Sequence, residues 1–235
     1  MFFTPGEVAE VDLADRLVVV VDVLRATSTI VEALANGARA VVPVATIEEA
    51  LRLVRNLGRE GALLCGERGG LRIEGFELGN SPAEFTAERV AGKTLVMTTT
   101  NGTAALVGVA GARRVYVGAF ANLGAVAAAV ADADADVAVV CAGRGRRFAL
   151  EDALCAGALL RRVRARRGRG VRAGNDAAWV AQRLARSLVD PAPVLRRTAA
   201  ARELVAVGLG ADVEWCTVVD RSGVVPVFRE RQVTL

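Results

Sequence analysis

Polar side chains that could do chemistry follow directly on a run of valines near the start of the chain. Val18–Val21 is typical of a buried strand, and the next residue is the carboxylate Asp22. Arg25 and the hydroxyl run Thr27–Thr29 follow within seven residues of it. A carboxylate at a strand end can bind a metal ion or attack phosphorus, and a guanidinium group can bind an oxyanion. Asp22 could equally cap the following helix or form an ion pair with Arg25.

Three further clusters of glycine and polar residues follow apolar runs in the same way. They are "CGERGGLRIEGFELGNSP" (Cys65–Pro82), "TTTNGT" (Thr98–Thr103) and "CAGRGRRFALED" (Cys141–Asp152). Two of them also have a structural explanation, since "GERGG" suits a surface loop and Asn-Gly is a strong turn signal. Ligands of open α/β sheets bind beyond the carboxyl ends of the strands, so we expect all the clusters to share one edge of a sheet.

The residue types of these clusters complement one another. Carboxylates bind hard divalent cations, arginine forks bind tetrahedral oxyanions, and short hydroxyl or amide groups orient oxygens. The carboxylates are Asp22, Glu67, Glu151 and Asp152; the guanidinium groups are Arg25, Arg68, Arg144 and either Arg146 or Arg147; the neutral groups include Ser28, Thr99, Thr100 and Asn101. The chain has no histidine and its four cysteines form no Cys-x-x-Cys pair, which disfavours zinc sites and histidine-based triads. The set predicts an oxygen-coordinated Mg²⁺ that holds a phosphate-type substrate.

A cysteine nucleophile is the alternative within the last cluster. Cys141 and Arg147 have the Cys-x5-Arg spacing of the phosphate loop of tyrosine phosphatases, between a predicted strand and a predicted helix. However, the Ser or Thr that usually follows the arginine is Phe148 here, and the spacing recurs easily in an arginine-rich chain.

Apolar β-branched runs alternate with helical patterns along most of the chain. Predicted strands are Leu17–Val23, Ala40–Val44, Ala62–Cys65, Thr94–Thr98, Arg114–Val117, Val137–Cys141 and Asp212–Val219. Predicted helices between them are Thr27–Asn36, Thr46–Leu57, Ser81–Val90, Gly102–Val109, Asn122–Ala131 and Leu150–Arg166. This alternation predicts an α/β fold, a three-layer α/β/α arrangement with a mostly parallel, mixed sheet.

The pattern changes after Gly174. Consecutive helices are predicted at Asp176–Leu188 and Val194–Val207, and "VEWCTVVDRSGVVPVF" then predicts a strand, a tight turn at Ser222-Gly223 and a second strand. We expect a C-terminal antiparallel hairpin that closes an edge of the sheet. The chain has no linker, low-complexity tract or clear repeat, so residues 1–235 are interpreted as a single domain, with a two-lobed form left open.

The bulk composition is that of a globular protein. The chain has 235 residues, of which 53% are hydrophobic, and a net charge of +4. No apolar run approaches the ~18–20 residues of a membrane span. Met1–Glu7 has neither a basic leader nor a long apolar core, so we expect a cytoplasmic protein with free thiols.

Arginine dominates the basic residues, because Lys93 is the only lysine among 30 of them. The densest run, "RRVRARRGRGVR" (Arg161–Arg172), is interpreted as a solvated helix end followed by a loop. Nucleic-acid binding is the alternative for this run. It is disfavoured because aromatic residues make up only 4% of the chain and no base-stacking motif lies nearby.

Taken together, these stretches resemble the 2-phosphosulfolactate phosphatase family, the Mg²⁺-dependent phosphatases named for a step in coenzyme M biosynthesis. The resemblance spans nearly the whole chain, and the combination of segments is specific although each one alone is not. The matching segments are "DVLRATSTIVEALANGA" (Asp22–Ala38), "GERGGLRIEGFELGNSP" (Gly66–Pro82), "TTTNGT", "CAGRGRRFALEDALCAG" (Cys141–Gly157) and, more weakly, "DVEWCTVVDRSGVVPVF" (Asp212–Phe228).

The resemblance implies an α/β/α enzyme that hydrolyses (2R)-3-sulfo-2-phosphonooxypropanoate to 3-sulfolactate and phosphate. Residue chemistry then assigns Asp22 as a Mg²⁺ ligand or as a nucleophile that forms an aspartyl-phosphate. Glu67 together with Asp152 or Glu151 would complete the metal shell or activate water. The remaining groups would hold the anionic substrate or orient its oxygens: Arg25, Arg68, Arg144, Ser28, Thr99, Thr100, Asn101, Asn80 and Ser81.

We expect the partner to be a small anionic phosphate-ester substrate, with no nucleic acid and no membrane; a homo-oligomer is left open. Membership of a family does not fix the substrate, so a phosphatase or phosphotransferase for another small phosphorylated hydroxyacid is the first alternative. An Arg-rich nucleic-acid-binding protein is the alternative from another class, and it would bind DNA or RNA with strong salt dependence.

Overall fold

The computed structural model describes residues 1–8, 11–57, 61–133, 135–168 and 171–235. Within these residues nine strands form one sheet, flanked by ten α-helices. The strands are β1 Leu17–Val21, β2 Ala40–Pro43, β3 Ala62–Arg68, β4 Leu71–Arg72, β5 Thr94–Thr98, β6 Arg114–Gly118, β7 Val137–Cys141, β8 Val227–Arg229 and β9 Gln232–Thr234. The helices are α1 Ala26–Ala35, α2 Ile47–Leu57, α3 Ala87–Val90, α4 Gly102–Gly108, α5 Leu123–Asp132, α6 Leu150–Arg167, α7 Asp176–Leu184, α8 Ala192–Leu195, α9 Ala199–Ala206 and α10 Gly210–Thr217. Short 3₁₀ turns lie at Pro5–Val8, Pro82–Glu84 and Phe120–Asn122.

The predicted strands between Leu17 and Cys141 are confirmed, with small shifts at their ends. One shift matters for the site, because β3 continues past Cys65 to Arg68. Glu67 and Arg68 therefore project from a strand and not from the loop after it. The helix predicted over Ser81–Val90 is instead a 3₁₀ turn followed by α3.

The sheet consists of two parallel groups joined by a hairpin. Its strand order is β4-β3-β5-β2-β9-β8-β6-β1-β7. Strands β2, β3 and β5 pair in parallel, and so do β6, β1 and β7. The mixed, mostly parallel α/β/α fold is thus confirmed. The predicted position of the hairpin is wrong, because β8 and β9 lie in the middle of the sheet, between β6 and β2.

The central hairpin also alters the expectation of a single common edge. Three antiparallel pairings separate β2 from β6, so the two parallel groups run in opposite senses through the sheet. Each pair of neighbouring strands adds a twist of about 20–25°. Accumulated over the five steps from β5 to β1, the twist rotates the two groups strongly relative to each other. Helices α1 and α4 each contact strands of both groups, so both groups enclose the same helix pair.

Strand β1 shows how the sequence builds the three layers. All five of its residues are buried, and successive side chains point to opposite faces. Val19 and Val21 join the cluster under α5 and α6, whereas Val18 and Val20 join the cluster under α1 and α4. A strand buried on both faces requires an unbroken apolar run, which is why four valines stand in a row.

The strand predicted over Asp212–Val219 is wrong, because most of this segment forms α10. Its β-branched and aromatic residues favour a strand by propensity, but tertiary packing overrides that preference. Val213, Cys216 and Thr217 are buried at helical spacing, and α10 packs against α8 and α9. The real hairpin turns at Glu230-Arg231, which have positive φ angles of 51° and 63°, and not at Ser222-Gly223.

The arginine run lies where α6 ends, and Arg169 within it falls outside the described residues. Arg167 donates to the main-chain oxygens of Val130, Ala131, Ala133 and Ala135, at the C-terminal end of α5 and just beyond it. This arginine therefore caps a neighbouring helix, as expected for cations near helix C-termini. No helix in the described part of the chain is both long and apolar enough to cross a lipid bilayer.

Candidate active site

Residues from all the sequence clusters meet in one cavity of about 390 Å³. Loops after β1, β5 and β7, the end of β3 and the start of α6 contribute to its walls. The residues predicted for the site that line it are Asp22, Arg25, Glu67, Asn80, Thr99, Thr100, Asn101, Arg144, Glu151 and Asp152. The opposite senses of the two strand groups therefore do not prevent their loops from meeting.

Asp22 occupies the turn from β1 into α1. The hydroxyl of Thr27 donates to the Asp22 carbonyl (2.8 Å) and accepts from the Asp22 main-chain N–H (3.0 Å), so the turn is held on both sides. The main-chain N–H of Ala26 donates to Asp22 Oδ1 (3.3 Å). Asp22 Oδ2 accepts no hydrogen bond from the described residues. A Cβ added to Gly102, the first residue of α4, would lie 2.6 Å from Oδ2, so only glycine allows α4 to approach this carboxylate.

Asp152 fastens two of the loops to each other. It lies in the first turn of α6, and its Oδ1 accepts from the N–H of Val23 (2.8 Å) in the loop after β1. Its Oδ2 accepts from the N–H of Gly143 (3.1 Å) in the loop after β7. Both oxygens are thus used to hold the cavity wall together.

Glu67 joins the end of β3 to the loop after β5 in a similar way. Its Oε1 accepts from the N–H of Thr100 (2.7 Å), and its Oε2 accepts from the N–H of Gly70 (2.9 Å). The Thr99 hydroxyl accepts from the Thr103 N–H, and the Thr103 hydroxyl accepts from the Thr99 N–H, each at 3.1 Å. These hydrogen bonds hold the loop that carries Thr100 in place before the start of α4.

Burial raises the pKa values of Asp22, Glu151 and Asp152 above their ordinary range. Burial raises the pKa of Asp22 to about 7, and the negative charges of Glu67 and Glu151 add to the rise. Burial also raises the pKa of Glu151, and it raises that of Asp152 well above its usual value, with Asp22 as the next cause for Asp152. Such a cluster of acids is stabilised in its ionised form by a cation.

Two of the predicted arginines in the cavity, Arg25 and Arg144, are paired with carboxylates of the C-terminal helices. Arg25, only 3% exposed, donates to Asp212 Oδ2 of α10 (2.5 Å) and to the carbonyl of Gly70 (2.6 Å). Arg144, nearer the mouth, donates through Nε to Glu203 Oε2 of α9 (3.0 Å) and forms a second contact through its terminal nitrogen. Glu203 and Arg147 also line the cavity, whereas Arg146 does not.

Sequence reasoning missed the roles of Glu203 and Asp212. Glu203 lies in a helix that none of the sequence clusters contains, and no local signal marks it. Asp212 opens the weakest of the resembling segments, but the residue types of that segment predict a strand and not the helix α10. Both contacts join residues far apart in the chain, since Arg25 and Asp212 are separated by 187 positions.

Three predicted site residues, Ser28, Arg68 and Ser81, lie outside the cavity lining. The Ser28 hydroxyl donates to the carbonyl of Val23 (2.8 Å), in the loop before α1. Arg68 turns to β5, where it donates to the carbonyl (3.2 Å) and hydroxyl (2.9 Å) of Thr98. Ser81, also predicted, stands at the start of the 3₁₀ turn and donates to Asp212 Oδ1 (2.6 Å). The hydrogen bonds of these three residues stabilise the loops that surround the cavity.

The position of Cys141 argues against its acting as a nucleophile. It is fully buried in the core on the α5–α6 side and is absent from the cavity lining. Burial raises the pKa of its thiol well above the ordinary value, and the charge of Asp152 raises it further. A buried thiol of this kind is inert.

The donor set suits Mg²⁺ in its usual manner of binding. Among the described residues no three acidic, Cys or His side chains form a ready-made metal cage. Mg²⁺, however, is commonly held by one or two carboxylates together with water and substrate phosphate. A buried acid whose pKa is raised to about 7 and which has an oxygen without an N–H partner matches that requirement.

Fold and cavity together define an α/β protein with an acid-lined, arginine-flanked site that suits a small anionic ligand. The family described as 2-phosphosulpholactate phosphatase matches residues 2–231. Proteins named "Probable 2-phosphosulfolactate phosphatase" are similar over almost their whole lengths. That of Thermotoga petrophila is 43% identical over 91% of this chain and 89% of its own. That of Symbiobacterium thermophilum is 43% identical over 95% of this chain and 96% of its own. That of Clostridium beijerinckii is 34% identical over 100% of this chain and 98% of its own.

The chain belongs to the 2-phosphosulfolactate phosphatase family, a family of phosphoric monoester hydrolases. The resemblance read from the sequence is therefore confirmed.

Proposed function

We propose that this protein is a Mg²⁺-dependent phosphatase that hydrolyses (2R)-3-sulfo-2-phosphonooxypropanoate, 2-phosphosulfolactate, to 3-sulfolactate and phosphate. The observation that carries the proposal is the meeting of Asp22, Glu67 and Asp152 with Arg25 and Arg144 in one cavity. The names of the relatives support the choice of substrate.

The charges of the cavity support a metal requirement. Four carboxylates that line it, Asp22, Glu67, Glu151 and Asp152, face a substrate that carries phosphate, carboxylate and sulfonate groups. Arg25 and Arg144 are already paired with Asp212 and Glu203, so they offset little of this negative charge. Bound Mg²⁺ would stabilise negative charge on the phosphoryl oxygens and lower the pKa of a bound water.

Hydrogen bonding divides the acidic residues by role. Asp152 and Glu67 each accept two main-chain N–H groups, so their first task is to hold the loops in place. Asp22 keeps Oδ2 without a hydrogen-bond partner in a rigid turn, and it is the residue we assign to the metal ion and the phosphoryl group. Glu151 lies beside Asp152 at the start of α6 and is the second candidate ligand.

Arginines and loop amides would bind the anionic groups of the substrate. Arg147 at the mouth has no carboxylate partner among the described residues, and Arg144 can exchange Glu203 for a substrate oxyanion. Thr100 and Asn101 stand beside them at the start of α4. Pre-positioned donors of this kind stabilise charge that develops during phosphoryl transfer.

The proposal includes the setting in which the reaction takes place. The four cysteines are free and buried, which suits the reducing cytoplasm. A small-molecule phosphatase needs neither nucleic acid nor a membrane. A place in coenzyme M biosynthesis is the corresponding proposal for the physiological role.

Phosphate release from a panel of esters tests the substrate. The purified protein is assayed with 2-phosphosulfolactate, 2-phosphoglycerate and phospholactate, each with Mg²⁺ and with EDTA. We expect the highest kcat/KM for 2-phosphosulfolactate and no release in EDTA. A higher kcat/KM for an ester without the sulfonate would assign the enzyme to another phosphorylated hydroxyacid, and activity in EDTA would remove the metal requirement.

A further inference from the structure

The side chain of Asn80, in the cavity wall, has a buried oxygen without a hydrogen-bond partner. Among the described residues, its Oδ1 is the only buried side-chain nitrogen or oxygen atom without a partner. The residue is 4% exposed and lines the cavity together with Asp22 and Glu67. Native proteins rarely leave such an acceptor unpaired, because a buried polar group without a partner is destabilising.

Hydrogen bonds hold the main chain at Asn80 and Ser81, so a small movement does not bring Asn80 Oδ1 to a donor. The Thr29 hydroxyl of α1 donates to the carbonyl of Asn80 (2.9 Å). The next residue, Ser81, donates to Asp212 Oδ1 of α10 (2.6 Å), and Asp212 in turn holds Arg25. Two helices thus hold the Asn80 main chain at the cavity wall.

The chemistry of the surroundings limits what can satisfy this oxygen. Of the charged groups that line the cavity with it, Asp22 and Glu67 are acceptors when ionised, and Arg25 already donates to Asp212 and to the Gly70 carbonyl. A fully ionised 2-phosphosulfolactate has no hydrogen-bond donor. An amide oxygen is, however, an ordinary ligand of hard divalent cations alongside carboxylates. A cation, or water held by one, meets the requirement of Oδ1 and of Asp22 Oδ2 at once.

We propose that Asn80 binds the divalent cation through Oδ1, together with Asp22. This inference rests on the proposed function insofar as that function places Mg²⁺ in the cavity. Asn80 then belongs to the metal site, and not only to the substrate-binding set that the sequence predicts.

Divalent-cation binding without substrate tests the proposal separately from catalysis. Metal-free protein is titrated with Mg²⁺ by calorimetry and with Mn²⁺ by electron paramagnetic resonance. Asn80→Ala is expected to weaken both affinities about tenfold or more, whereas Asn80→Asp, which keeps an oxygen and adds a charge, retains or strengthens them. Asn101→Ala is the matched control, because this cavity amide already accepts from the Gly145 N–H (3.1 Å), and its metal affinity should stay within about twofold of wild type.

Thermal unfolding in EDTA provides the folding control. Asn80→Ala removes a buried acceptor that has no partner, so its Tm without metal should equal or exceed that of the wild type. A lower Tm in EDTA would show that the amide has a structural partner and would overturn the proposal.

Other outcomes also decide the matter. Unchanged affinity in Asn80→Ala, or affinity lost in Asn80→Asp, would overturn the assignment of Asn80 and leave the proposed function standing. A wild-type protein that binds neither cation would overturn both the assignment and the metal requirement. The release of phosphate from 2-phosphosulfolactate in EDTA would then show whether the hydrolase activity itself survives.

Discussion

Ionisation of Asp22, which a metal site requires, destabilises the folded protein because the carboxylate is buried. Its pKa rises from the ordinary 3.8 to about 7 in the folded protein, so the folded state holds a proton that the unfolded chain releases above pH ~4. Without metal, the contribution of Asp22 to stability should therefore be fully present below pH ~4 and be lost as the pH rises to about 7. Asp152, whose pKa is also raised, acts in the same direction.

Asp22→Asn should remove this part of the pH dependence. Since asparagine stays neutral, we expect the variant to be more stable than the wild type by a few kcal/mol at pH 8 in EDTA, and nearly equal to it at pH 4. Urea unfolding at both pH values measures the difference. Equal free energies of unfolding for the two proteins at pH 8 would contradict the burial argument.

If Arg144 binds the substrate as proposed, Glu203 would compete with the substrate for this arginine at the cavity mouth. Both side chains are partly exposed, so the ion pair is weak and the guanidinium is easily released. Glu203→Gln should lower KM for 2-phosphosulfolactate about two- to fivefold, because the arginine is then available to an anion. Steady-state kinetics at low ionic strength measure this change, and an increase in KM would instead make Glu203 a residue that positions Arg144.

Glu214→Gln is the matched control for this experiment. Glu214 forms a bidentate pair with Arg196 (2.7 and 2.6 Å), and both residues lie outside the cavity lining. Its exposure resembles that of Glu203, so KM should not change. A similar fall in KM in this variant would indicate a general charge effect.

Residue types after strand ends predicted most of the cavity lining. The clusters that follow apolar runs contain the four predicted carboxylates, Asn80, Thr100 and Arg144. What a sequence cannot show is where a side chain points. Ser28 and Arg68 have suitable chemistry, but each satisfies a nearby carbonyl instead. Asp212 and Glu203 reach Arg25 and Arg144 only through tertiary packing of the C-terminal helices.

At the scale of elements, α4 depends on glycine at its first residue. A Cβ at Gly102 would lie 2.5 Å from Ala26 Cβ and 2.6 Å from Asp22 Oδ2, so either α1 or the carboxylate would have to move. Gly102→Ala should lower kcat/KM at least about tenfold and destabilise the protein by about 1–3 kcal/mol. Phosphate release and urea unfolding measure the two effects.

Gly108→Ala in the same helix is the control. No atom lies within 4 Å of a Cβ at this position, so the variant should keep wild-type activity and be slightly stabilised by helix propensity. If Gly102→Ala behaved like this control, the close contact between α4 and Asp22 would not matter for the site.

Elements with strong local patterns were predictable, and the C-terminal ones were not. Buried strands such as β1 and β5 follow from their apolar runs. The hairpin turn at Glu230-Arg231 contains neither glycine nor asparagine, the usual residues at positive φ, and it therefore gave no signal. Val213 and Cys216 favour a strand by residue type. They form part of α10 instead, because this segment buries them when it packs as a helix against α9.

For the whole molecule, the sequence predicted the layers but not how they are joined. Alternating strands and helices specify a three-layer α/β/α fold, whereas strand order depends on contacts between distant segments. The insertion of β8 and β9 between the parallel groups reverses the sense of one group relative to the other. Twist and the shared contacts of α1 and α4 allow loops from both groups to line one cavity.

The central claim is that Asp22 and its neighbouring acids, with a bound cation, cleave a small and highly anionic phosphate ester. Initial rates of phosphate release from 2-phosphosulfolactate in Mg²⁺, compared between wild type and Asp22→Asn, test it most directly. We predict turnover by the wild type and no detectable release by the variant, which should remain folded by circular dichroism. A variant rate within about tenfold of the wild type, equivalent to only ~1.4 kcal/mol of barrier, would contradict the claim.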